Sequence, residues 1–305
     1  MIAEIRKEAR NDIVKNLGEP ATDEFLSKVE ARLEKYAKHW QLTQLSFMPT
    51  YTVNLLFGCE SALYGPCVLK MCIPGLEVAT EINCLKAYDG QGYVKMWDYN
   101  LADDMLLLER VTPGSQMWEV KDYKQRAQLM AQRIKDLPFI RCDQGDYPTY
   151  KTWMSGIHKK LTNMGGMDDA LFYLNEALRI YDELKQVYNR GCLLHGDMHQ
   201  ENMLLNHQGG YTIIDPKGVV DDPIMETARF LLNEIPCSKE KIYEMVAIMA
   251  PIMGVPESDM LKSMYIDAAL GNCWTFDEHF PTQEAREKSE REALEGCGFV
   301  YGLLK

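Results

Sequence analysis

The residues best suited to chemistry lie between positions 193 and 218, where two short apolar runs each end in polar side chains. The first run leads into His195, Asp197 and Asn202, and the second leads into Asp215. A carboxylate can accept the proton of an attacking hydroxyl, and amide and carboxylate oxygens are ligands that Mg²⁺ prefers. These four side chains predict a proton acceptor beside a metal site.

The spacing of these residues is specific. It follows the order H-x-D-x-x-x-x-N of a kinase catalytic loop, in which the aspartate accepts the proton and the asparagine holds Mg²⁺. Asp215 comes directly after the β-branched run 211–214, as the second metal-binding aspartate of a kinase does. Each residue alone is more often a turn former, but the four positions together favour phosphoryl transfer.

A competing chemistry is a zinc site formed by His195 and His199, which lie four residues apart. The helical zinc motif is H-E-x-x-H, whereas Gly196 lies within this spacing and disfavours a helix. No third ligand follows Asp197 at zinc spacing. Zinc hydrolysis is therefore the weaker interpretation, and His195 is expected to brace the loop backbone.

The elements that must position a nucleotide lie earlier in the chain, around Lys70. This lysine lies inside the apolar run 67–72, where a solvent-facing side chain is the ordinary interpretation. A kinase instead places its phosphate-binding lysine on such a strand and pairs it with a glutamate on the following helix. We expect Glu81 to be the partner, with Glu77 as the second choice.

Periodicity predicts that this region is a small antiparallel sheet with one helix. Strands are expected at 51–57, 67–72, 93–99 and 105–110, with a further strand from about 46 and a helix over 77–88. The chain then passes through Glu109 and Val111 into helical sequence, so we expect a hinge there. The carbonyl of Glu109 and the amide of Val111 are predicted to bind an adenine edge.

The remaining segments are predicted to be mainly helical. Two N-terminal patterns, 2–17 and 23–39, carry no motif and are expected either to cover the sheet or to make a dimer contact. Helices are predicted at about 119–137, 168–189, 226–234, 238–250, 257–272 and 283–303. The expected organisation is a helical extension (1–39), a small nucleotide-covering lobe (40–110) and a large helical lobe (111–305).

Composition limits the partners and the compartment. The 305 residues are 46% hydrophobic and 26% charged, as in an ordinary globular protein. The net charge of −12 argues against nucleic acid and anionic membranes and suits a cationic substrate. No membrane-spanning run, no signal-peptide core and no C-x-x-C pair among nine cysteines are present, so we expect a cytoplasmic protein with reduced thiols.

From about Trp40 onward the sequence resembles the aminoglycoside phosphotransferases, and within them the streptomycin and hydroxyurea resistance kinases. The resemblance rests on segments 68–70, 106–110, 195–202 and 214–218, followed by Asp222-Pro223. It implies an α+β, bilobal protein-kinase-like fold, with a small antiparallel-sheet lobe and a larger, mainly helical lobe. It also implies ATP, Mg²⁺ and phosphoryl transfer to a hydroxyl of an aminoglycoside-like or other cationic natural product, giving antibiotic resistance.

The resemblance implies a role for each motif residue. Asp197 would accept the hydroxyl proton, Asn202 and Asp215 would hold the metal, and Lys70, held by Glu81, would bind the α- and β-phosphates.

The resemblance places residues 272–279 in the region that closes the acceptor site, although a tryptophan packed in the core beside two solvated acids is an open alternative. In the acceptor interpretation, Asp277 and Glu278 would bind a cation and Trp274 would offer it an aromatic face.

Three other functions remain as alternatives. A kinase of a different small metabolite alcohol is consistent with the same motifs. A protein kinase is disfavoured, because the segment after Asp215 runs almost directly into a helix and leaves no room for an activation segment. A nucleotide-binding pseudokinase is disfavoured because Lys70, Asp197, Asn202 and Asp215 are all present.

Overall fold

The computed structural model describes residues 2–49, 54–75, 77–142, 145, 147–234 and 238–305. The chain divides into two compact units, Met1–Val111 with Glu278–Pro281, and Thr112–Asp277 with Thr282–Lys305. The first contains an antiparallel sheet and the second is mainly helical. The predicted α+β class is confirmed. The beginning of the predicted strand 51–57 lies outside the described residues.

The N-terminal region of the first unit is helical, but in four pieces rather than two. The helices are α1 (Ile2–Glu8), α2 (Arg10–Leu17), α3 (Glu19–Ser27) and α4 (Val29–His39). The segment Gly18-Glu19-Pro20 ends the first predicted helical pattern. It also starts the next helix, because Gly18 adopts a φ of 74° and proline is tolerated in a first helical turn.

The sheet of the first unit has five strands, all antiparallel, in the order β1-β2-β3-β5-β4. The strands are β1 (Leu42–Met48), β2 (Leu55–Ser61), β3 (Gly65–Met71), β4 (Met96–Asn100) and β5 (Met105–Glu109), with helix α5 (Glu77–Tyr88) after β3. The sheet and the N-terminal helices share one hydrophobic core, in which Ile13, Phe25 and Trp40 pack with Phe57 and Leu69. Residues 1–39 are thus part of the sheet's own folding unit.

The second unit contains seven helices among its described residues, and α11 lies at their centre. They are α6 (Tyr123–Lys135), α7 (Tyr150–Met164), α8 (Asp168–Leu184), α9 (Glu226–Asn233), α10 (Lys239–Met253), α11 (Glu257–Trp274) and α12 (Gln283–Tyr301). Helix α11 packs against α8, α9 and α12. None of the helices in the described ranges has the length and apolar character needed to cross a membrane.

Helix α7 was not predicted, although its sequence carries the signals of a helix. Tyr150, Met154, Ile157 and Leu161 recur at helical spacing and are buried. The side-chain oxygen of Thr149 accepts a hydrogen bond from the Thr152 N–H at 3.0 Å and caps the first turn.

Two small sheets of the second unit frame the polar segments. One pairs β6 (Pro113–Gln116), β8 (Met203–Asn206) and β9 (Tyr211–Ile213), and the other pairs β7 (Cys192–Leu194) with β10 (Val219–Asp221). The segment that contains Asp197 connects β7 to β8, and the segment that contains Asp215 connects β9 to β10. Both segments are therefore anchored at each end by paired strands.

Candidate active site

Lys70 and Glu81 form a buried ion pair in the first unit. Lys70 Nζ lies 2.6 Å from Oε1 and 2.7 Å from Oε2 of Glu81, and the two side chains are 3% and 7% exposed. Lys70 lies on β3, which is paired on both sides, and Glu81 lies on the buried face of α5. Glu77 lies on the exposed side of the same helix, so Glu81 is the partner.

Glu109 and Val111, the predicted adenine-binding positions, lie at the end of the same sheet. Glu109 is the last residue of β5, and Val111 is the last residue of the first unit before Glu278. The Glu109 N–H donates to the Lys95 carbonyl at 2.8 Å, and the Lys95 N–H donates to the Glu109 carboxylate at 3.3 Å. These bonds fix the backbone that leads into the predicted hinge.

In the second unit, both ring nitrogens of His195 bind the backbone of the site. Nδ1 accepts from the Asp197 N–H at 3.0 Å, and Nε2 lies 2.8 Å from the Ile214 carbonyl oxygen, to which it donates. This pattern assigns a neutral imidazole with its proton on Nε2. Burial lowers the pKa of His195 to about 4, which agrees with that assignment. The prediction that His195 braces the loop is confirmed.

The β8–β9 ladder brings Asn202 and Asp215 to the same end of a hairpin. Met203 pairs with Ile213, and the Ile214 N–H donates to the Asn202 carbonyl at 3.0 Å. The Asn202 amide nitrogen donates to the Asp197 carbonyl at 3.0 Å, so the amide oxygen is the atom available to a cation. An amide oxygen and a carboxylate are hard ligands, and this donor set fits Mg²⁺.

Asp215 has an unusual backbone conformation, with a φ of 60°. Residues with a Cβ seldom adopt this left-handed region, and Asp and Asn tolerate it best. Two residues further on, the Lys217 N–H donates to the His195 carbonyl at 2.8 Å. The segment that contains Asp215 is therefore hydrogen-bonded to the segment that contains Asp197.

Glu226, which the sequence motifs did not indicate, holds the start of the 195–202 loop. Its two carboxylate oxygens accept from the backbone N–H groups of His195 and Gly196, the latter at 3.3 Å. Burial raises the pKa of Glu226 to about 8, although the two N–H groups act in the opposite direction. A glycine is required at position 196 for two reasons. Its φ of 77° lies in the left-handed region, and a Cβ would lie 2.7 Å from Val219 Cγ1.

Asp197 is surrounded by cations. Its side chain is 25% exposed, and Arg229 Nε, on α9, lies 3.3 Å from its Oδ1. Burial alone would raise the pKa of Asp197, but the charges of Lys217 and Arg229 exceed that effect and lower the pKa to about 2. The carboxylate is therefore ionised throughout the neutral pH range.

The three predicted acceptor residues have other neighbours. Lys217 Nζ lies 5.0 Å from the centroid of the Trp274 ring, and the Asp277 carboxylate forms an ion pair with Lys160. Glu278 belongs to the first unit, where burial raises the pKa of its carboxyl. A substrate cation at Trp274 or Asp277 would thus have to compete with a lysine of the protein.

A cavity of about 510 Å³ lies elsewhere in the second unit, among α9, α11 and α12. Its size is within the usual range for small-molecule sites. Its polar lining contains two carboxylates, two amides and a guanidinium: Asp267, Glu295, Asn233, Asn272 and Arg229. Since Arg229 also contacts Asp197, one side chain connects the cavity lining to the predicted proton acceptor.

The chain is similar to several known proteins. Residues 39–278 match the family model described as aminoglycoside/hydroxyurea antibiotic resistance kinase. The chain is similar to a hydroxyurea phosphotransferase from Kitasatospora aureofaciens, with 23% identity over 221 residues, which cover 71% of this chain and 64% of that protein. It is also similar to a streptomycin 6-kinase from Streptomyces glaucescens, with 21% identity over 202 residues, or 65% of each protein. The chain thus spans slightly less than two thirds of these relatives.

Solved structures show the fold. The choline kinase LicA from Streptococcus pneumoniae superposes with a TM-score of 0.63 at 13% identity, covering 90% of this chain and 99% of that protein. This similarity confirms the predicted protein-kinase-like fold. Because the family model covers most of the sequence, the chain belongs to the aminoglycoside/hydroxyurea antibiotic resistance kinase family.

Proposed function

We propose that the chain transfers the γ-phosphoryl group of ATP to a hydroxyl of a small, cationic acceptor such as an aminoglycoside, and so confers antibiotic resistance. The observation that carries this proposal is the ionised Asp197 carboxylate, held beside the hairpin end that presents Asn202 and Asp215. A carboxylate in that state can accept a proton from a hydroxyl as it attacks.

Each remaining motif residue has a role in this reaction. Asn202 and Asp215 would hold Mg²⁺, which neutralises charge on the phosphates. Lys70 would bind the α- and β-phosphates, and the two short bonds from Glu81 would fix the orientation of its ammonium group. The carbonyl of Glu109 and the amide of Val111 would bind the adenine edge. We place the reaction in the cytoplasm.

The acceptor class follows from charge. The chain has a net charge of −12, and the cavity in the second unit carries the carboxylates of Asp267 and Glu295. Asp267 is already paired with Arg229, so Glu295 is the carboxylate of this lining that we assign to a substrate amine or guanidine. Asp277, Glu278 and Trp274 remain a second proposed position. The names of the two relatives support an aminoglycoside or a hydroxyurea-like acceptor.

The test is an ADP-release assay with a panel of aminoglycosides, hydroxylated amines, hydroxyurea and choline, with mass detection of the phosphorylated product. Acceptor-dependent ADP release and one added phosphoryl group are expected for at least one cationic compound. The matched control is Asp215→Asn, which preserves the tolerated backbone conformation and removes the charge, and which should lose nearly all turnover. Nucleotide binding without turnover on any compound would instead identify a pseudokinase.

A further inference from the structure

Arg229 lies between two carboxylates of the second unit. Its Nε is 3.3 Å from Asp197 Oδ1 and 3.1 Å from Asp267 Oδ2, and a terminal nitrogen donates to Asp267 Oδ1 at 3.2 Å. Among the described residues Nε makes no well-aligned hydrogen bond, so the two acids share it as an ion-pair partner. Asp267 is only 1% exposed, and it therefore fixes the guanidinium from the buried side.

Helix α11 leaves space for this guanidinium at a glycine. Gly271 lies one turn after Asp267 on α11, and a Cβ at this position would be 3.2 Å from both terminal nitrogens of Arg229. Such an approach is tighter than ordinary van der Waals contact, so an added methyl group would shift the guanidinium by a few tenths of an ångström. Gly271 is helical and has no left-handed φ, so its backbone conformation would allow other residues. The close guanidinium is what limits the size of the residue at this position.

The two oxygens of Asp197 consequently have different surroundings. Oδ1 faces Arg229, whereas Oδ2 lies 4.0 Å from His199 Nε2. We propose that Arg229 is a positioning residue that holds Oδ1 of Asp197, so that Oδ2 is the oxygen that receives the acceptor's proton. In this arrangement Asp267 and Gly271 keep Arg229 in place. The inference rests on the proposed kinase activity.

The competing explanation is that Arg229 only neutralises the buried carboxylate of Asp267. A charge buried without a partner is strongly destabilising, so that role alone could account for an arginine at this position. The two explanations differ in what they predict for the double variant Arg229→Gln/Asp267→Asn, which removes both charges together. If Arg229 only neutralises Asp267, the double variant regains the parent turnover. If Arg229 positions Asp197, turnover stays low.

The first experiment measures kcat and both KM values for the parent, Arg229→Gln and the double variant, in the ADP-release assay. We expect kcat to fall by about 100-fold in both variants, because misplacement of a reacting group by about 1 Å has an effect of this size. The KM for ATP should stay within about twofold, and millimolar guanidinium should restore part of kcat in Arg229→Gln. Parent-level kcat in either variant would overturn the inference.

The second experiment displaces the guanidinium without removing any charge. Gly271→Ala should lower kcat, whereas Gly156→Ala, on α7, is the matched control because no atom lies within 4 Å of its added Cβ. Unchanged kcat in a folded Gly271→Ala protein would also overturn the inference. If the parent releases no ADP with any acceptor, the proposed function fails and this inference fails with it. An active parent with an equally active Arg229→Gln variant contradicts this inference alone.

Discussion

At the scale of single residues, Lys70 and Glu81 provide the sharpest test. Removal of either partner leaves the other charge buried, which typically costs about 3–5 kcal/mol of stability. We therefore expect Lys70→Ala and Glu81→Ala each to lower the free energy of unfolding strongly, and the double variant to lose less than the sum of the two. Urea titrations measure this coupling, and ADP release should show the same non-additivity.

The control for that experiment is an ion pair at the surface. Lys151 Nζ lies 2.6 Å from Asp182 Oδ1, but both side chains are about half exposed. Exposed pairs contribute about 0–1 kcal/mol, so the same double-variant cycle should give a small coupling. Equal coupling for the exposed and buried pairs would show that the burial of Lys70 and Glu81 has no energetic consequence.

At the scale of an element, the 195–202 loop depends on a neutral His195. Its pKa is about 4 in the folded chain and about 6.5 in an unfolded one. Between these values the unfolded state binds more protons, so the free energy of unfolding should fall as the pH decreases from 6.5 towards 4. Acidification from pH 7 to pH 5 should therefore lower the free energy of unfolding by about 2 kcal/mol through the protonation of His195 in the unfolded chain.

The measurement compares urea unfolding at pH 7 and pH 5 for the parent and His195→Gln. The comparison with a variant is necessary because the raised pKa of Glu226 acts in the opposite direction over part of this range. Between the pKa of the Glu226 carboxyl in the unfolded chain and about 8, the folded state binds more protons at this carboxyl than the unfolded state does. The parent should lose more stability on acidification than His195→Gln does. An equal loss would show that His195 does not titrate as described.

Helices and strands with a clear hydrophobic periodicity could be predicted from the sequence. The site residues that lie on these elements or directly after them could be predicted with them. The β8–β9 hairpin and α5 are examples, since strand periodicity and helix spacing place Asp215 and Glu81 in order. Breaks inside continuous helical patterns, as at Ala9 and Lys28, could not be predicted, because neither residue is a glycine or a proline and both keep right-handed backbone angles. Helix α7 was missed although its capping residue and apolar stripe were visible.

At the scale of the whole molecule, the positions that sequence reasoning missed are set by tertiary packing. Glu226, Arg229 and Asp267 lie on α9 and α11, where the apolar stripe shows which face is buried but not which polar group it meets. The same limit applies to Asp277, because nothing local in the sequence pairs it with Lys160 on α7.

Acceptor recognition can be tested at the same scale. We expect Glu295→Gln to raise the KM for a cationic acceptor by about tenfold, in line with the loss of one charge-assisted hydrogen bond, while the KM for ATP stays constant. Added salt should weaken acceptor binding in the parent more than in the variant. The matched comparison is Asp277→Asn, whose carboxylate is already occupied by Lys160. A larger effect of Asp277→Asn would favour the position first predicted from sequence.

The shared core of the first unit has a practical consequence for solubility. The family match begins at residue 39, yet Ile13, Phe25 and Tyr36 pack on the sheet beside Phe57 and Leu69. A shortened chain that starts at residue 40 would present this apolar sheet face to water, and such surfaces promote aggregation. We expect it to collect in the insoluble fraction on expression and to bind a hydrophobic dye. A monodisperse, soluble product in size-exclusion chromatography would contradict this.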